Sequence, residues 1–304
     1  MTAMAKSSVA SKRSKIAGLL AGGRCVIAGS VFDPLSARIA EDVGFECGML
    51  GGSGASLAVL GAPDIALLTL TELVDLTRRI CRASDIPVLV DADDGYGNAL
   101  NVMRAVEDLG NAGACGLSIE DILLPRAFGS AAETRLVSVE EAEAKMRAAV
   151  DAARGGGPAI FGRTAALVVT GLDDAITRLQ AYERTGVDAL FVPYVKGRAQ
   201  LDAIAARTRL PIVLGGPGAE IANDIDLDYL SERRVRICLL GHHGIAAAAQ
   251  AIHEVARAMY EGRPLADLRG FGSEALMSRL SRAEEFEKLG RAFLQSNPPD
   301  RTRT

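Results

Sequence analysis

Short apolar, β-branched runs alternate with longer amphipathic stretches along most of the 304 residues. That alternation is the signature of βαβ units around a parallel sheet. The runs predict eight strands, near Cys25–Gly29, Glu46–Leu50, Pro87–Asp91, Cys115–Ile119, Ala159–Arg163, Ala189–Val192, Ile212–Leu214 and Arg236–Leu240. Helical periodicity fills the intervals. Asp33 and Pro34 open a helix through Val43, Thr71 opens another through Ala83, and Asn98 a third through Asn111, each with a polar cap or a first-turn proline. Further helices are expected at Val139–Arg154, Leu172–Thr185, Lys196–Thr208, Asp224–Arg233 and Gly244–Tyr260. Eight such units in about 250 residues match a (β/α)8 TIM barrel, an α/β fold, better than a doubly wound sheet. No GxGxxG turn follows Gly29, as a doubly wound dinucleotide-binding sheet would require.

The pattern divides the chain into a barrel over residues 1–262, with Ile16–Leu20 in a short helix capping its floor, and a C-terminal helical extension and tail over 263–304. Within the extension, Leu276, Leu280, Phe286, Leu289 and Phe293 fall near helical spacing across Ser273–Leu294. That apolar face is expected to pack either on a neighbouring subunit or across the chain's own barrel floor. Pro298–Thr304 reads as a frayed tail.

Composition narrows the function classes. The chain is 49% hydrophobic and 24% charged, with a net charge of −4, no Trp, eight Phe and five Tyr. It has no basic stripe and few stacking rings, which argues against nucleic acid as a partner. Cys25, Cys47, Cys81, Cys115 and Cys238 lie far apart without CxxC spacing and read as reduced thiols of a cytoplasmic protein. Lys6, Lys12, Arg13 and Lys15 before Ile16–Leu20 faintly mimic a targeting peptide, but Gly22, Gly23 and Arg24 interrupt the apolar run. No run approaches the ~20 apolar residues needed to span a bilayer, so no membrane partner is expected.

The chemistry collects at the predicted strand ends. In IPVLVDADDGYGN the strand Val88–Val90 delivers Asp91 and Asp93 to its C-terminal edge, on the same side. These carboxylates repel one another unless a metal, a proton or a basic side chain compensates. Hard oxygen donors without His or Cys favour Mg²⁺ or Mn²⁺ over zinc. The plainer alternative is an acidic turn in which Gly95 and Gly97 supply backbone freedom. Ser30, Gly51, Gly52, Ser53, Glu120, Arg163 and His242 stand at the same register on other strands, and polar residues on that rim surround a common axis. Glu120 completes a metal shell with Asp91 and Asp93, or merely initiates a loop with Asp121. Arg163 at a buried strand end calls for an anion, which is either a ligand or Glu120 itself. His242 is either a functional imidazole or a cap. Gly51, Gly52 and Ser53 present amides and a hydroxyl to a carboxylate or carbonyl, or form a tight turn. A divalent ion chelating a 2-oxo acid, with Arg163 on another oxygen, would stabilise an enolate and permit loss of a distal carboxylate.

VFDPLSARIAEDVGFECGMLGGSGAS, LGAPDIALLTLTE, VDADDGYGNALNVMRAVEDL, SIEDILLP and FGRT together resemble the isocitrate lyase and phosphoenolpyruvate mutase superfamily, from about Val26 to Tyr260. GGS, LGAPD and DADxGYGNALNVMR are most similar to its oxaloacetate decarboxylase branch. The resemblance implies a Mg²⁺-bound 2-oxo acid substrate, a final helix exchanged between subunits, and a tetramer built as a dimer of dimers. It further implies Asp91 as direct metal ligand, with Asp93 and Glu120 acting through metal-bound water. Gly51, Gly52 and Ser53 would then bind the substrate carboxylate and keto group, Arg163 a substrate oxygen, and Asp64 would order the site. His242 would stand beside the departing carboxylate.

Three departures stand out. The stretch Asp121–Arg135 lacks the KKCGH-type cysteine loop of the carbon–carbon lyases, RTAA replaces the common RTNA at Ala165, and LGGPGAE lacks the tyrosine and asparagine usual in the decarboxylase branch. The expected activity is decarboxylation of oxaloacetate to pyruvate. The alternatives are a carbon–carbon lyase, a phosphonate-active relative, or a barrel kept as a binding protein.

Overall fold

The computed structural model describes residues 7–126, 128, 129, 133–264 and 268–294. Its strands are β1 (Val26–Ile27), β2 (Gly29–Ser30), β3 (Gly48–Leu50), β4 (Val88–Asp91), β5 (Gly116–Glu120), β6 (Ala159–Arg163), β7 (Ala189–Pro193), β8 (Ile212–Gly215) and β9 (Val235–Leu239). All pair in parallel, in the order β1-β9-β8-β7-β6-β5-β4-β3-β2. The first expected strand is thus split at Ala28. Its leading half pairs with β9 and its trailing half with β3, so these nine segments act as eight staves of a nearly closed barrel. The seam is stitched by Ala28 N–H donating to Cys238 O at 2.9 Å and Gly29 N–H to Cys47 O at 2.9 Å.

Side chains alternate across each strand, and two apolar clusters follow from that alternation. Val26, Met49, Leu89, Phe161, Ala189, Val213 and Ile237 pack together, joined by Ile16 and Leu20 of the helix Val9–Ala21. Leu50, Val90, Leu117, Ile119, Leu190 and Leu214 belong to the second cluster, with helix residues such as Val102, Met146 and Leu179. The basic residues of the N-terminal helix are fastenings. Lys12 is buried and donates to Ser84 O at 2.6 Å and Cys81 O at 3.2 Å, while Arg13 donates to Gly110 O at 2.8 Å and Ala114 O at 3.2 Å.

The expected helices form within a few residues of their expected bounds, the second capped by Thr69 rather than Thr71. Asp33, Thr69 and Asn98 each close a capping box, on Pro34–Val43, Leu70–Ala83 and Ala99–Ala112. Two elements differ from expectation because local chemistry overrides the pattern. Gly51 caps a helix, Gly52–Leu60, where a tight turn was one of the two readings. Ser273–Leu294 is two helices, Glu274–Ser281 and Ala283–Phe293, because Arg282 takes a left-handed φ of 56° that breaks the ladder. Pro298–Thr304 lies outside the described residues.

The chain divides into two compact units, Met1–Ala246 and Ala247–Thr304. In the second, Ala258 and Leu280 are buried, while Tyr260, Phe286 and Phe293 are exposed. No helix among the described residues is long and apolar enough to cross a membrane. All five cysteines are unbridged.

Candidate active site

Strand register carries the polar residues to one rim. β4 ends on Asp91, which pairs with Ser118 of β5, and Glu120 at the end of β5 pairs with Arg163 at the end of β6. Arg163 is the hub of the cluster. Its Nη1 donates to Asp91 Oδ2 at 2.6 Å, its Nε lies 2.9 Å from Glu120 Oε2, and its guanidinium stands 5.3 Å from the Phe191 ring centroid. Burial opposes the charge on Arg163, yet Asp91 and Glu120 outweigh it and hold the guanidinium firmly protonated. The ion pair between Glu120 and Arg163 foreseen as the plainer alternative therefore forms. It does not exhaust the acidic charge.

Beyond Asp91 the chain bends sharply. Asp93 (φ 47°) and Tyr96 (φ 64°) both occupy the left-handed region that non-glycine residues avoid. The bend is held by Glu120 N–H donating to Asp93 O at 2.8 Å, by Tyr96 N–H donating to Asp94 Oδ1 at 2.9 Å, and by the buried Lys145 Nζ, 3.5 Å from Asp94 Oδ2. Asp93 has no ion-pair partner among the described residues. Burial first, then the charges of Asp91 and Glu120, push its pKa up to about 8. Burial likewise raises Glu120 to about 7 despite Arg163. The Tyr96 hydroxyl is buried without a hydrogen-bond partner among the described residues, and burial together with Asp93 and Asp91 keeps it protonated.

The opposite side of the mouth is made by backbone. Gly51 and Gly52 open a helix whose first amides lack intrahelical partners, with Ser53 in its first turn. Asp64 lies against this turn: a Cβ on Gly52 would sit 3.0 Å from Asp64 Oδ2. Crowding by protein atoms and the charge of Asp91 raise the Asp64 pKa. His242 follows β9, and its Nδ1 is 2.7 Å from Ser30 Oγ at the end of β2. Burial lowers the His242 pKa, leaving it neutral at pH 7, while His243 beside it is exposed. The structure thus gathers Ser30, Gly51, Gly52, Ser53, Asp64, Asp91, Asp93, Glu120, Arg163 and His242 at one end of the barrel.

Asp121 faces the other way, as the residue after Glu120 on a strand must. It is fully buried and accepts from Thr164 Oγ1 at 2.7 Å, Ala165 N–H at 3.1 Å, Arg178 Nη1 at 3.2 Å and Tyr182 OH at 2.7 Å. This brace joins the ends of β5 and β6 and was not foreseen, although an Asp following Glu120 was the available signal. Ser118 was also missed. Its Oγ donates to Asp91 Oδ1 at 3.2 Å, and it lies two residues before Glu120, on the same face.

Four carboxylates, Asp64, Asp91, Asp93 and Glu120, share the mouth with one guanidinium and one neutral imidazole. The surplus of negative charge, the raised pKa values and the all-oxygen donor set fit a hard divalent cation. Among the described residues, no three His, Cys, Asp or Glu side chains converge closely enough to hold an ion by themselves. Asp91 and Glu120 turn onto Arg163 instead.

The phosphoenolpyruvate phosphomutase family model matches residues 16–260. An oxaloacetate decarboxylase of Rhodopseudomonas palustris (strain BisB18) is 55% identical over 284 residues, spanning 93% of this chain and 97% of its own. That of Bradyrhizobium diazoefficiens is 55% identical over 280 residues, spanning 92% and 96%. Among solved structures, oxaloacetate acetylhydrolase in complex with 3,3-difluorooxalacetate superimposes with a TM-score of 0.82 at 25% identity, covering 95% of this chain and 99% of that one. Phosphonopyruvate hydrolase in complex with oxalate and Mg²⁺ gives 0.80 at 28% identity, covering 93% and 99%.

Proposed function

The chain belongs to the phosphoenolpyruvate phosphomutase family, and from that premise we propose that it is a Mg²⁺-dependent carboxy-lyase converting oxaloacetate to pyruvate and CO₂. The observation that carries the reading is the acidic surplus around Arg163, set on the rim of a barrel 55% identical to oxaloacetate decarboxylases. Asp91 would hold the ion directly, with Asp93 and Glu120 acting through its water, a division that suits carboxylates not converging on a single point. When bound, Mg²⁺ withdraws electron density from the keto and carboxylate oxygens of a 2-oxo acid.

The chain's own residues do the rest. The amides of Gly51 and Gly52 and the Ser53 hydroxyl receive the substrate's carboxylate and keto group at the helix start. Arg163, held rigid by Asp91 and Glu120, meets the oxygen on which charge develops. Asp64 orders the turn beneath Gly52. His242 stands beside the distal carboxylate. The C3–C4 bond breaks, its electron pair passes into the enolate of pyruvate, neutral CO₂ leaves, and C3 takes a proton from water.

Purified protein with Mg²⁺ and oxaloacetate, assayed for pyruvate above the uncatalysed metal rate, tests the reading. No excess rate rejects oxaloacetate, and turnover of a carbon–carbon lyase or phosphonate substrate instead would replace it. We further propose a cytoplasmic dimer of dimers in which the C-terminal helical extension is exchanged between subunits. The exposed Tyr260, Met277, Phe286 and Phe293 support this, since that much apolar surface calls for a partner. Light scattering of the full chain that returned a monomer would refute it.

A further inference from the structure

The contact between Ser30 and His242 spans 212 residues of sequence and sits on the seam where the barrel closes. A serine hydroxyl carries one proton, and among the described residues Ser30 Oγ has no acceptor other than His242 Nδ1, 2.7 Å away. With no competing acceptor, the hydroxyl proton is free to point at an Nδ1 lone pair. A neutral imidazole that accepts at Nδ1 carries its own proton on Nε2. The far side of the ring agrees. Nε2 lies over Gly51 so closely that a Cβ there would stand 2.4 Å from Nε2 and 2.5 Å from Cε1. Any side chain at position 51 would evict the imidazole, so Gly51 is bare because His242 occupies the space. The charged groups acting on the ring are the carboxylates of Asp64 and Asp91, with His243 also nearby. An Nε2 lone pair turned to that acidic mouth would be repelled, whereas an N–H complements it.

Resting on the decarboxylase reading, we infer that Ser30 is a positioning residue that fixes His242 as the neutral Nε2–H tautomer, so that the ring offers a hydrogen bond, rather than a full positive charge, to the departing carboxylate. The distinction matters for rate. The carboxylate loses its charge as it becomes CO₂, so an imidazolium would stabilise the ground state more than the transition state and slow the step. A neutral donor orients the same group at a smaller penalty.

The chain holds only three histidines, so protein labelled with ¹⁵N-histidine allows the tautomer of His242 to be read by long-range ¹H–¹⁵N correlation, assigned by loss of its signal in H242Q. The expected result is an Nε2–H ring in the wild type and a mixed or reversed tautomer in S30A. With oxaloacetate, S30A should lower kcat about tenfold, the effect of losing one oriented hydrogen bond, with KM little changed. S30T, which keeps the hydroxyl, should restore both tautomer and rate. An Nδ1–H ring in the wild type overturns the inference, as does an S30A protein that matches wild type in spectrum or in kcat. A wild type inactive on oxaloacetate, yet losing the Nε2–H tautomer in S30A, would sink the decarboxylase reading and leave the hold of Ser30 on the ring standing.

Discussion

Glu120 and Asp121 are consecutive, acidic and almost wholly buried, yet they live in opposite electrostatic worlds. Asp121 looks outward into a closed set of partners: two hydroxyls, one amide and the Arg178 guanidinium all donate to it. Glu120 looks inward and shares Arg163 with Asp91, while Asp93 and Asp64 add carboxyls that have no ion-pair partner among the described residues. One cluster is satisfied, and the other keeps an excess of acidic groups that protons or a cation must offset. Satisfaction marks architecture, and uncancelled charge marks the place where the molecule expects something from solution.

The sharpest way to break the comparison is to remove a carboxylate from the side in deficit. Asp91→Ala should reduce Mg²⁺-dependent pyruvate formation to the uncatalysed rate and weaken Mg²⁺ binding by calorimetry. The circular dichroism spectrum should stay native, because Arg163 keeps Glu120 and the crowding around Asp93 is relieved. Full turnover in this variant would overturn the ligand assignment. Asp121→Ala should do the reverse and act first on stability. It leaves two buried hydroxyls and the Ala165 amide without their acceptor, while Arg178 keeps Asp174 and Val137 O, a set of losses that together cost about 3–5 kcal/mol, readable from urea unfolding. A loss below about 1 kcal/mol would show that the brace is dispensable.

The same comparison explains what the sequence made legible. Barrel strands, caps and the rim residues were readable because each depends on local pattern: Asn98 caps whatever helix follows it, and Arg163 ends its strand wherever that strand lies. Partner choice was not readable. Nothing in a linear chain says that Asp121 meets Tyr182, 61 residues away, or that Ser30 meets His242, because those contacts exist only once the barrel closes. The break at Arg282 was hidden for another reason. No glycine or proline marks it, so a side chain that ordinarily favours helix carries the left-handed turn. At Gly51–Ser53 a tight turn stood beside amides offered to a ligand; Gly51 and Gly52 in fact open a helix, and their bare Cα atoms leave room for His242 and Asp64.

Charge deficit also has a pH signature. Asp93 and Glu120 titrate near 8 and 7 when folded, against about 4 for carboxylates in an unfolded chain. Between those limits the folded state holds more protons than the unfolded one, so metal-free stability should fall as pH rises from about 4 to 8. Mg²⁺ bound at these carboxylates would displace the protons and remove the repulsion. The Tm gained on adding Mg²⁺ to chelator-treated protein should therefore be larger near about pH 8.5 than near about pH 5.5. A gain that does not change with pH would mean that these carboxylates are not where the ion binds.

The pair between Asp94 and Lys145 tests where the boundary between the two regimes runs. It is as buried as the brace around Asp121, but it sits behind the loop that carries Asp93, and its single contact is long at 3.5 Å. Burial raises the Asp94 pKa even against the pull of Lys145, so this carboxyl can take up a proton when its partner is lost. Lys145→Met should consequently be milder than Asp121→Ala, about 1–3 kcal/mol in urea unfolding. Asp94→Ala should cost more than Lys145→Met, because it also removes the acceptor for the Tyr96 amide and frees a loop held in two left-handed residues. If the pair is purely architectural, Mg²⁺ affinity will be unchanged in both variants. If it holds Asp93 in place for the ion, Asp94→Ala will weaken Mg²⁺ binding further than Lys145→Met at equal stability, and the satisfied side of the barrel will be shown to shape the side in deficit.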